Sequence, residues 1–362
     1  MKRWIWIVFA AFWASVCLSG CAPELHQRLL VKAVGIDLDT NGYCVTICAA
    51  KTDGSGGEMS YSSTGETVPQ ALESIALETG KKPLYAHTAV LVFGMDCAER
   101  GIEDCLDFFL RHYDSKPTVK LCVAETSAKE VLMIPDAEAP TVRAQRIADA
   151  MQAVHFTGGA AEADLIDLIN HSMGKRCGTV LPVIKAEESP VISGAILLQE
   201  MRAEKPLNAS ALRGYLLLSG KLHAGETPVR TEQYGTISVS VTKSKCQLSF
   251  SGTKEEPAFT VQLRVKGEIS ALAKGLLRLD SAAFPVLEQA YAEELLHDAE
   301  AYIRTAVQNG TDAVGLMDVM RRALPDDWDD TAAPYEYLKQ AVFDVQITAE
   351  IDRVEEEDTP YL

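Results

Sequence analysis

The sequence predicts an α+β protein in which helices and strands follow one another in mixed order. Between residues 29 and 124 the pattern reads strand, strand, helix, strand, helix, strand. An apolar stripe predicts a long helix from near Phe284 to near Asn309, and strict alternation over residues 342–351 predicts a final strand. We therefore expect two or more mixed sheet-and-helix domains, the C-terminal one with a long helix and antiparallel strands.

Length, composition and charge limit the class of protein. The chain has 362 residues, 47% hydrophobic and 23% charged, which is the composition of globular domains. This length predicts two domains of about 150 residues each. The formal net charge of −17 repels phosphate backbones, so we expect no nucleic-acid partner.

Residues 1–20 have the pattern of an export signal peptide. Lys2 and Arg3 precede fourteen uncharged residues, a run shorter than the roughly 20 that a membrane-spanning helix needs. Leu18-Ser19-Gly20 then leads to Cys21, and this tetrapeptide resembles the lipobox of bacterial lipoproteins. We expect the signal peptide to be removed and membrane lipid to be attached to Cys21. The alternative is a soluble secreted protein with a cysteine there by chance.

The N-terminal region, residues 21–190, is predicted as short elements between loops. Residues 51–63 are rich in Gly, Ser and Thr and predict a loop, whereas Thr67 and Gly80 are suited to cap the next helix. The predicted strands are 30–38, 43–50, 87–93 and 119–124, with a hairpin turn at 39–42 and a short extended piece at 180–184. The predicted helices are 67–80, 97–111 and 141–170.

The C-terminal region, residues 191–355, begins after Glu187-Glu188-Ser189-Pro190, whose composition is typical of a linker. An acidic tail, residues 356–362, follows the region. The predicted strands of the C-terminal region are 194–198, 214–218, 259–269 and 342–351, together with a hairpin of residues 236–241 and 246–252.

Nine cysteines are present, and seven remain once Cys17 leaves with the signal peptide and Cys21 carries lipid. Seven is odd, so internal disulfides cannot pair all of them. Five lie in apolar runs, which predicts reduced thiols packed as small apolar side chains: Cys44, Cys48, Cys97, Cys105 and Cys122. A metal or redox site at these cysteines is the alternative.

Catalytic signatures are absent from the sequence. It contains no HExxH, GxSxG or GxGxxG motif and no phosphate-binding loop. The acidic cluster around Trp328 lacks the glycine and terminal glutamate of a calcium loop. We therefore expect no enzymatic activity and no catalytic, cofactor-binding or metal-binding residues.

An ordered set of segments resembles the Ger(x)C family, the lipoprotein subunits of spore germinant receptors. The resemblance covers nearly the whole chain. In the N-terminal half it lies in Val34-Gly35-Ile36-Asp37, the helix 71–80, residues 87–94, residues 101–104 and residues 107–111. In the C-terminal half it lies in Gln308, Asp312, Gly315, Pro325, Trp328 and Phe343.

This resemblance implies a lipid-anchored, non-enzymatic subunit of a germinant receptor complex, required for assembly or signalling in spore germination. Its partners would be multi-spanning membrane subunits of the receptor. Its place would be the outer face of the cell membrane, or the inner spore membrane, of an endospore-forming bacterium. The alternative is a solute-binding lipoprotein that delivers a small ligand to a transporter, usually built as two similar lobes.

Trp328 leaves two interpretations open. It either packs on its own domain, as tryptophan usually does, or contacts a partner subunit, where tryptophan often anchors interfaces.

Overall fold

The residues that the structure describes form two β-sheets with covering helices, which confirms the predicted α+β class. The computed structural model describes residues 27–51, 56–111, 116–133, 143–173, 178–272, 279–326 and 335–352, together with Trp4 and Trp328. The signal peptide, Cys21 and the acidic tail predicted from the sequence lie outside these residues.

The first sheet has nine strands, and its middle is parallel. The strands are β1 (Arg28–Asp39), β2 (Gly42–Ala50), β3 (Glu58–Gly65), β4 (Lys82–Leu84), β5 (Val90–Phe93), β6 (Lys120–Ala124), β7 (Gly178–Ala186), β8 (Pro190–Gln199) and β9 (Arg202–Leu207). Their order is β3-β2-β1-β5-β6-β7-β8-β9, and β4 extends the β5 side of β1. The β1–β4 pair and the β1–β5–β6–β7 pairs are parallel, and the remaining pairs are antiparallel.

Helices cover both faces of this sheet. They are α1 (Val68–Thr79), α2 (Met95–Arg100), α3 (Glu103–Arg111), α4 (Ala128–Met133), α5 (Arg143–Gln152), α6 (Val154–Thr157) and α7 (Leu165–Met173). Buried side chains of α1, α2, α3 and α7 pack on one face and those of α4 and α5 on the other. The parallel strands are therefore covered on both sides, as parallel strands usually are.

The second sheet has the order β10-β11-β12-β13. Its elements are α8 (Ala209–Leu218), β10 (Glu226–Thr231), β11 (Gly235–Gly252), β12 (Pro257–Ala271), α9 (Ala283–Asn309), α10 (Leu316–Ala323), α11 (Tyr335–Gln340) and β13 (Val342–Asp352). The long helix and the antiparallel β10, β11 and β12 agree with the prediction. The last pair, β12 and β13, is parallel because the chain crosses over through α9 between them.

The first hairpin and the helix after it form where the sequence predicts. β1 and β2 pair in antiparallel register around the predicted turn, with Asp39 opposite Gly42. Thr67 Oγ1 accepts a hydrogen bond from Gln70 N, and Gly80 ends α1 in the left-handed region. Local capping chemistry thus sets both ends of this helix.

The predicted loop 51–63 is wrong beyond residue 57, because β3 begins at Glu58. The serine hydroxyl groups of this stretch find partners on the neighbouring strand. Ser62 Oγ lies 3.0 Å from Thr46 Oγ1, and Ser60 Oγ lies 3.4 Å from Cys48 Sγ. These contacts with β2 give the polar side chains of β3 hydrogen-bond partners within the sheet.

The predicted strand 214–218 is wrong, because these residues end helix α8. Asn208 caps the helix, with Oδ1 accepting from Ala211 N at 2.8 Å. Leu216, Leu217 and Leu218 are all buried, so the run is apolar on every side. Periodicity cannot distinguish a buried helix of this kind from a buried strand.

The predicted hairpin 236–252 is also wrong, because β11 is one 18-residue strand. It contains a register shift between Val241 and Lys243 and pairs with β12 along its length. The polar residues 242–245, which resemble a turn in sequence, belong to this strand. A β-bulge bends a strand without ending it, which a local pattern does not reveal.

The predicted helix 97–111 is two helices, because the chain turns at Gly101, where φ is +124°. Likewise, residues 187–189 form the turn of the β7–β8 hairpin and not a linker. The first sheet continues through β9, and Val180 and Leu197 contribute to the core of the second region. The two regions therefore share a core across residue 190.

We expect Gly94→Ala to lower the free energy of unfolding by about 2 kcal/mol, because overpacking a well-filled site costs on that order. A Cβ at Gly94 would lie 2.1 Å from Asp37 Oδ1. Gly194→Ala is the matched control, since nothing lies within 4 Å of its Cβ position. Urea denaturation followed by circular dichroism measures both variants. Equal stability of the two would contradict the close packing of Gly94 on Asp37.

Candidate functional site

The predicted lipid attachment residue, Cys21, lies outside the described residues, so its attachment stays a prediction. The structure does describe where the chain enters the fold. Strand β1 begins at Arg28, seven residues after Cys21. An extended chain of that length reaches about 25 Å. A lipid on Cys21 would therefore hold the start of β1 within that distance of a membrane.

The opposite end of β1 carries Asp37, the last residue of the segment Val34-Gly35-Ile36-Asp37. Its carboxylate accepts hydrogen bonds from Ala128 N at 2.7 Å, Lys129 N at 2.9 Å and Ser127 Oγ at 3.2 Å. Burial raises the pKa of Asp37, although these donors act in the opposite direction. The carboxylate therefore binds the start of α4 to the end of β1, which is a positioning role.

A cleft of about 630 Å³ opens beyond this end of β1. Its walls are the β1–β2 turn, the N-terminal end of α1 and the corner between α2 and α3. Because β1 has 12 residues, the cleft lies roughly 40 Å along the strand from the residue nearest the predicted anchor. The sequence did not point to this cleft, since its residues come from four separate elements.

Charged and hydroxyl groups line the cleft. Glu66, Asp104 and Asp107 are acidic, and Arg100 is basic. Asp107 already pairs with Arg111, whose Nε lies 2.7 Å from Asp107 Oδ1. Such a surface can donate and accept hydrogen bonds and favours positively charged groups.

A second cluster surrounds Asp312, a residue of the C-terminal resemblance. Its carboxylate is fully buried and accepts hydrogen bonds from Val314 N at 3.0 Å, Gly315 N at 2.8 Å and Met317 N at 2.8 Å. Burial raises the pKa of Asp312, while these backbone donors lower it. The carboxylate thus supplies acceptors for N–H groups at the start of α10 that would otherwise have none.

The Asp312 turn also joins the two sheets. Gly178, the first residue of β7, donates its N–H to Asp312 O at 3.1 Å. Thr311 Oγ1 donates to Gln199 Oε1 at 3.1 Å. A Cβ at Gly178 would lie 2.2 Å from Thr311 Cγ2, so the contact requires glycine. We name this contact of residues 178, 199, 311 and 312 the sheet junction.

A largely buried ion pair lies within the second region. Arg213 on α8 lies with its Nε 2.9 Å from Asp298 Oδ2 on α9. The same guanidinium donates to Glu226 O at 2.6 Å and to Thr227 Oγ1. Burial raises the pKa of Asp298, and Arg213 opposes that shift. This pair links two helices to β10, so its role is structural.

The described residues bring few other candidate groups together. Within them, each helix is too short or too polar to span a bilayer. In the same ranges, no three His, Cys, Asp or Glu side chains are placed to hold a metal ion. Of the acidic residues around Trp328, the structure describes only Asp326, which is exposed.

The cysteines and Trp328 pack largely as predicted. Cys48, Cys97, Cys105 and Cys122 are fully buried, and Cys44 is half-buried. Trp328 packs against the core of the second region, with its ring centroid 6.2 Å from that of Tyr337. This agrees with the packing interpretation of Trp328. Contact with a partner subunit stays a prediction.

The fold places the chain among two-sheet α+β proteins with a solved representative. The crystal structure of the GerBC protein superposes with a TM-score of 0.59 at 16% identity. The match covers 88% of this chain and 97% of that one.

Two family models cover both regions of the sequence. One, described as the spore germination protein N-terminal domain, matches residues 22–186. The other, described as spore germination B3/GerAC like, C-terminal, matches residues 193–355. The chain belongs to the Ger(x)C family of spore germination proteins.

Two relatives align over nearly their whole length. The spore germination protein GerQC of Bacillus cereus is 21% identical over 364 residues, which span 96% of this chain and 98% of that protein. The spore germination protein KC of Bacillus subtilis (strain 168) is 21% identical over 383 residues, which span 93% of each chain.

We expect Asp312→Ala to lower the free energy of unfolding by about 3 kcal/mol, because it leaves several buried N–H donors without an acceptor. Asp326→Ala is the matched control, since Asp326 is exposed 14 residues further along the same segment. We expect that control to stay within about 0.5 kcal/mol of the parent. Urea denaturation followed by tryptophan fluorescence measures both. Similar effects of the two substitutions would show that the Asp312 carboxylate does not organise this turn.

Proposed function

We propose that this chain is a lipid-anchored, non-catalytic subunit of a spore germinant receptor complex in an endospore-forming bacterium. The observation that carries the proposal is the family match over both regions, residues 22–186 and 193–355. The subunit faces outward from the inner spore membrane and supports the assembly or signalling of the receptor. Its partners are multi-spanning membrane subunits.

The anchor in this proposal is lipid on Cys21. A charged start, an apolar core, two small residues and a cysteine occur in that order. Two or more acyl chains hold a protein stably on a membrane, whereas one chain binds marginally. A tether can raise the local concentration of a domain near its membrane partners to the millimolar range, so weak contacts with them suffice.

Charge explains why this chain needs a tether. It carries 51 acidic and 34 basic side chains. Such an acidic surface is repelled by anionic lipid headgroups. Without acyl chains the protein would therefore stay away from the membrane that holds its partners.

In this proposal the N-terminal and C-terminal regions contact those partners as a single packed unit. The sheet junction and the shared core hold the second sheet against the first. The start of β1 lies on the anchor side, and the cleft near Arg100 lies at the other end of the strand. The cleft therefore faces away from the membrane in this proposal.

The solute-binding alternative has less support. A two-lobed solute binder is usually built from two similar lobes around a cleft. Among the described residues, one sheet has nine strands and the other has four, with different connections. The cleft lies within the first region and not between two matching halves.

We expect Cys21→Ala to give a folded but unlipidated protein whose recovery with the membrane subunits falls on the order of tenfold or more. Spores that carry only this variant should germinate poorly. Cys17→Ala is the matched control, because Cys17 lies in the signal peptide and should not receive lipid. The measurements are lipid labelling, co-purification from spore membranes and germination rate. Normal germination without labelling would show that the tether is dispensable.

A further inference from the structure

Two thiols meet at the corner between α2 and α3. Cys97 Sγ on α2 lies 3.3 Å from Cys105 Sγ on α3, and both side chains are fully buried. The turn at Gly101 reverses the chain between them. By contrast, Cys122 Sγ lies near a backbone oxygen, Leu91 O, and Cys48 Sγ near Ser60 Oγ and Leu132 O.

The two sulfur atoms are in direct non-bonded contact. A disulfide joins two sulfur atoms at about 2.05 Å. The two atoms would therefore have to approach by a little more than 1 Å for the bond to form. The two positions are eight residues apart, so the bond would close a small loop around the corner.

We propose that Cys97 and Cys105 form an intramolecular disulfide when the chain folds outside the reducing cytoplasm. The location rests on the proposed function, in which the protein is exported. Disulfides persist in such compartments and are rare in the cytosol. The five other cysteines after Cys21 are odd in number and are not needed for this bond.

The bond forms by thiol–disulfide exchange with an oxidised dithiol oxidoreductase or an oxidised low-molecular-weight thiol. The thiolate of one cysteine attacks the disulfide of the oxidant, releases one of its sulfur atoms as a thiolate and forms a mixed disulfide. The second cysteine, as thiolate, then attacks the mixed disulfide and releases the remaining sulfur of the oxidant. The protein has lost two protons and two electrons, and the oxidant leaves as thiols.

The folded corner then protects the bond. The hydrogen bond with Cys105 and burial raise the pKa of Cys97 well above its usual range, so the folded protein offers almost no thiolate there. Exchange therefore takes place before the corner closes. Once closed, the same burial excludes reductants from the bond.

The disulfide would fix one wall of the cleft. Arg100 ends α2, and Asp104 lies in the first turn of α3, beside Cys105. Both side chains line the cleft. A bond between the two helices holds these charged groups at a constant separation, which the left-handed backbone of Gly101 alone does not ensure.

Peptide mapping of the full-length protein tests the bond directly. Free thiols in membranes that contain the protein are blocked by alkylation in denaturant, and the protein is then digested with trypsin without reduction. Trypsin cleaves after Arg100 and Arg111 but not between Lys82 and Pro83. A disulfide therefore links peptide 82–100 to peptide 101–111, and reduction separates them. We expect the linked peptide to dominate, with Cys122 alkylated as the internal control.

A thermal measurement tests the same bond through stability. Oxidised and reduced samples of the purified protein are compared, and we expect Tm to differ by roughly 3 to 5 °C, the effect of closing a loop of this size in a protein of this length. In Cys105→Ala the two samples should have the same Tm. In Cys122→Ala the difference should remain, because Cys122 takes no part in the bond.

Failure of this proposal is distinguishable from failure of the proposed function. The peptide that contains Cys21 reports whether the protein is lipidated and therefore exported. If it is lipidated and both Cys97 and Cys105 are alkylated, the disulfide proposal is wrong. If it is not lipidated, the full-length chain is refolded with oxidised and reduced glutathione. The linked peptide then supports the pair, and two alkylated peptides overturn it.

Discussion

The fully buried carboxylate of Asp312 is the interaction on which the arrangement of the two sheets depends. It accepts N–H groups at the start of α10, while its own backbone oxygen accepts the N–H of Gly178 at the start of β7. A buried carboxylate is costly unless donors surround it. Here the donors surround the carboxylate only when the turn has its folded shape. The same residue binds Gly178, so the shape of the turn and the position of the first sheet depend on each other.

An aspartate carboxylate also accepts backbone N–H groups at the first sheet. Asp37 lies near the end of β1 and binds the start of α4. Position 94 beside it must be glycine, because a side chain there would meet the carboxylate. Both aspartates lie in segments that resemble the Ger(x)C family. Their roles in the structure are packing and helix capping, so the resemblance there reflects the requirements of the fold.

The acidic surface, the predicted anchor and the cleft form one arrangement along β1. In the proposed function, lipid on the anchor side would hold the protein at a membrane that its charge would otherwise avoid. The cleft lies at the far end of the strand, where its polar walls come from α1, α2, α3 and the first hairpin. The pair of thiols beneath the α2–α3 wall would, as the proposed disulfide, fix the shape of that cleft.

The sequence by itself determined the features that depend on neighbouring residues. The capped helix α1, the β1–β2 hairpin, the long helix α9 and the last strand follow from caps, turn residues and periodicity, and the family followed from an ordered set of short segments. The tertiary structure decided the rest. Ser60 and Ser62 have their hydroxyl partners on β2, and the buried run in α8 packs against α9. The pairing of Cys97 with Cys105 and the cleft walls also bring together residues from separate elements. Their hydrogen bonds and packing arise between elements, so no local stretch of sequence contains the information that places them.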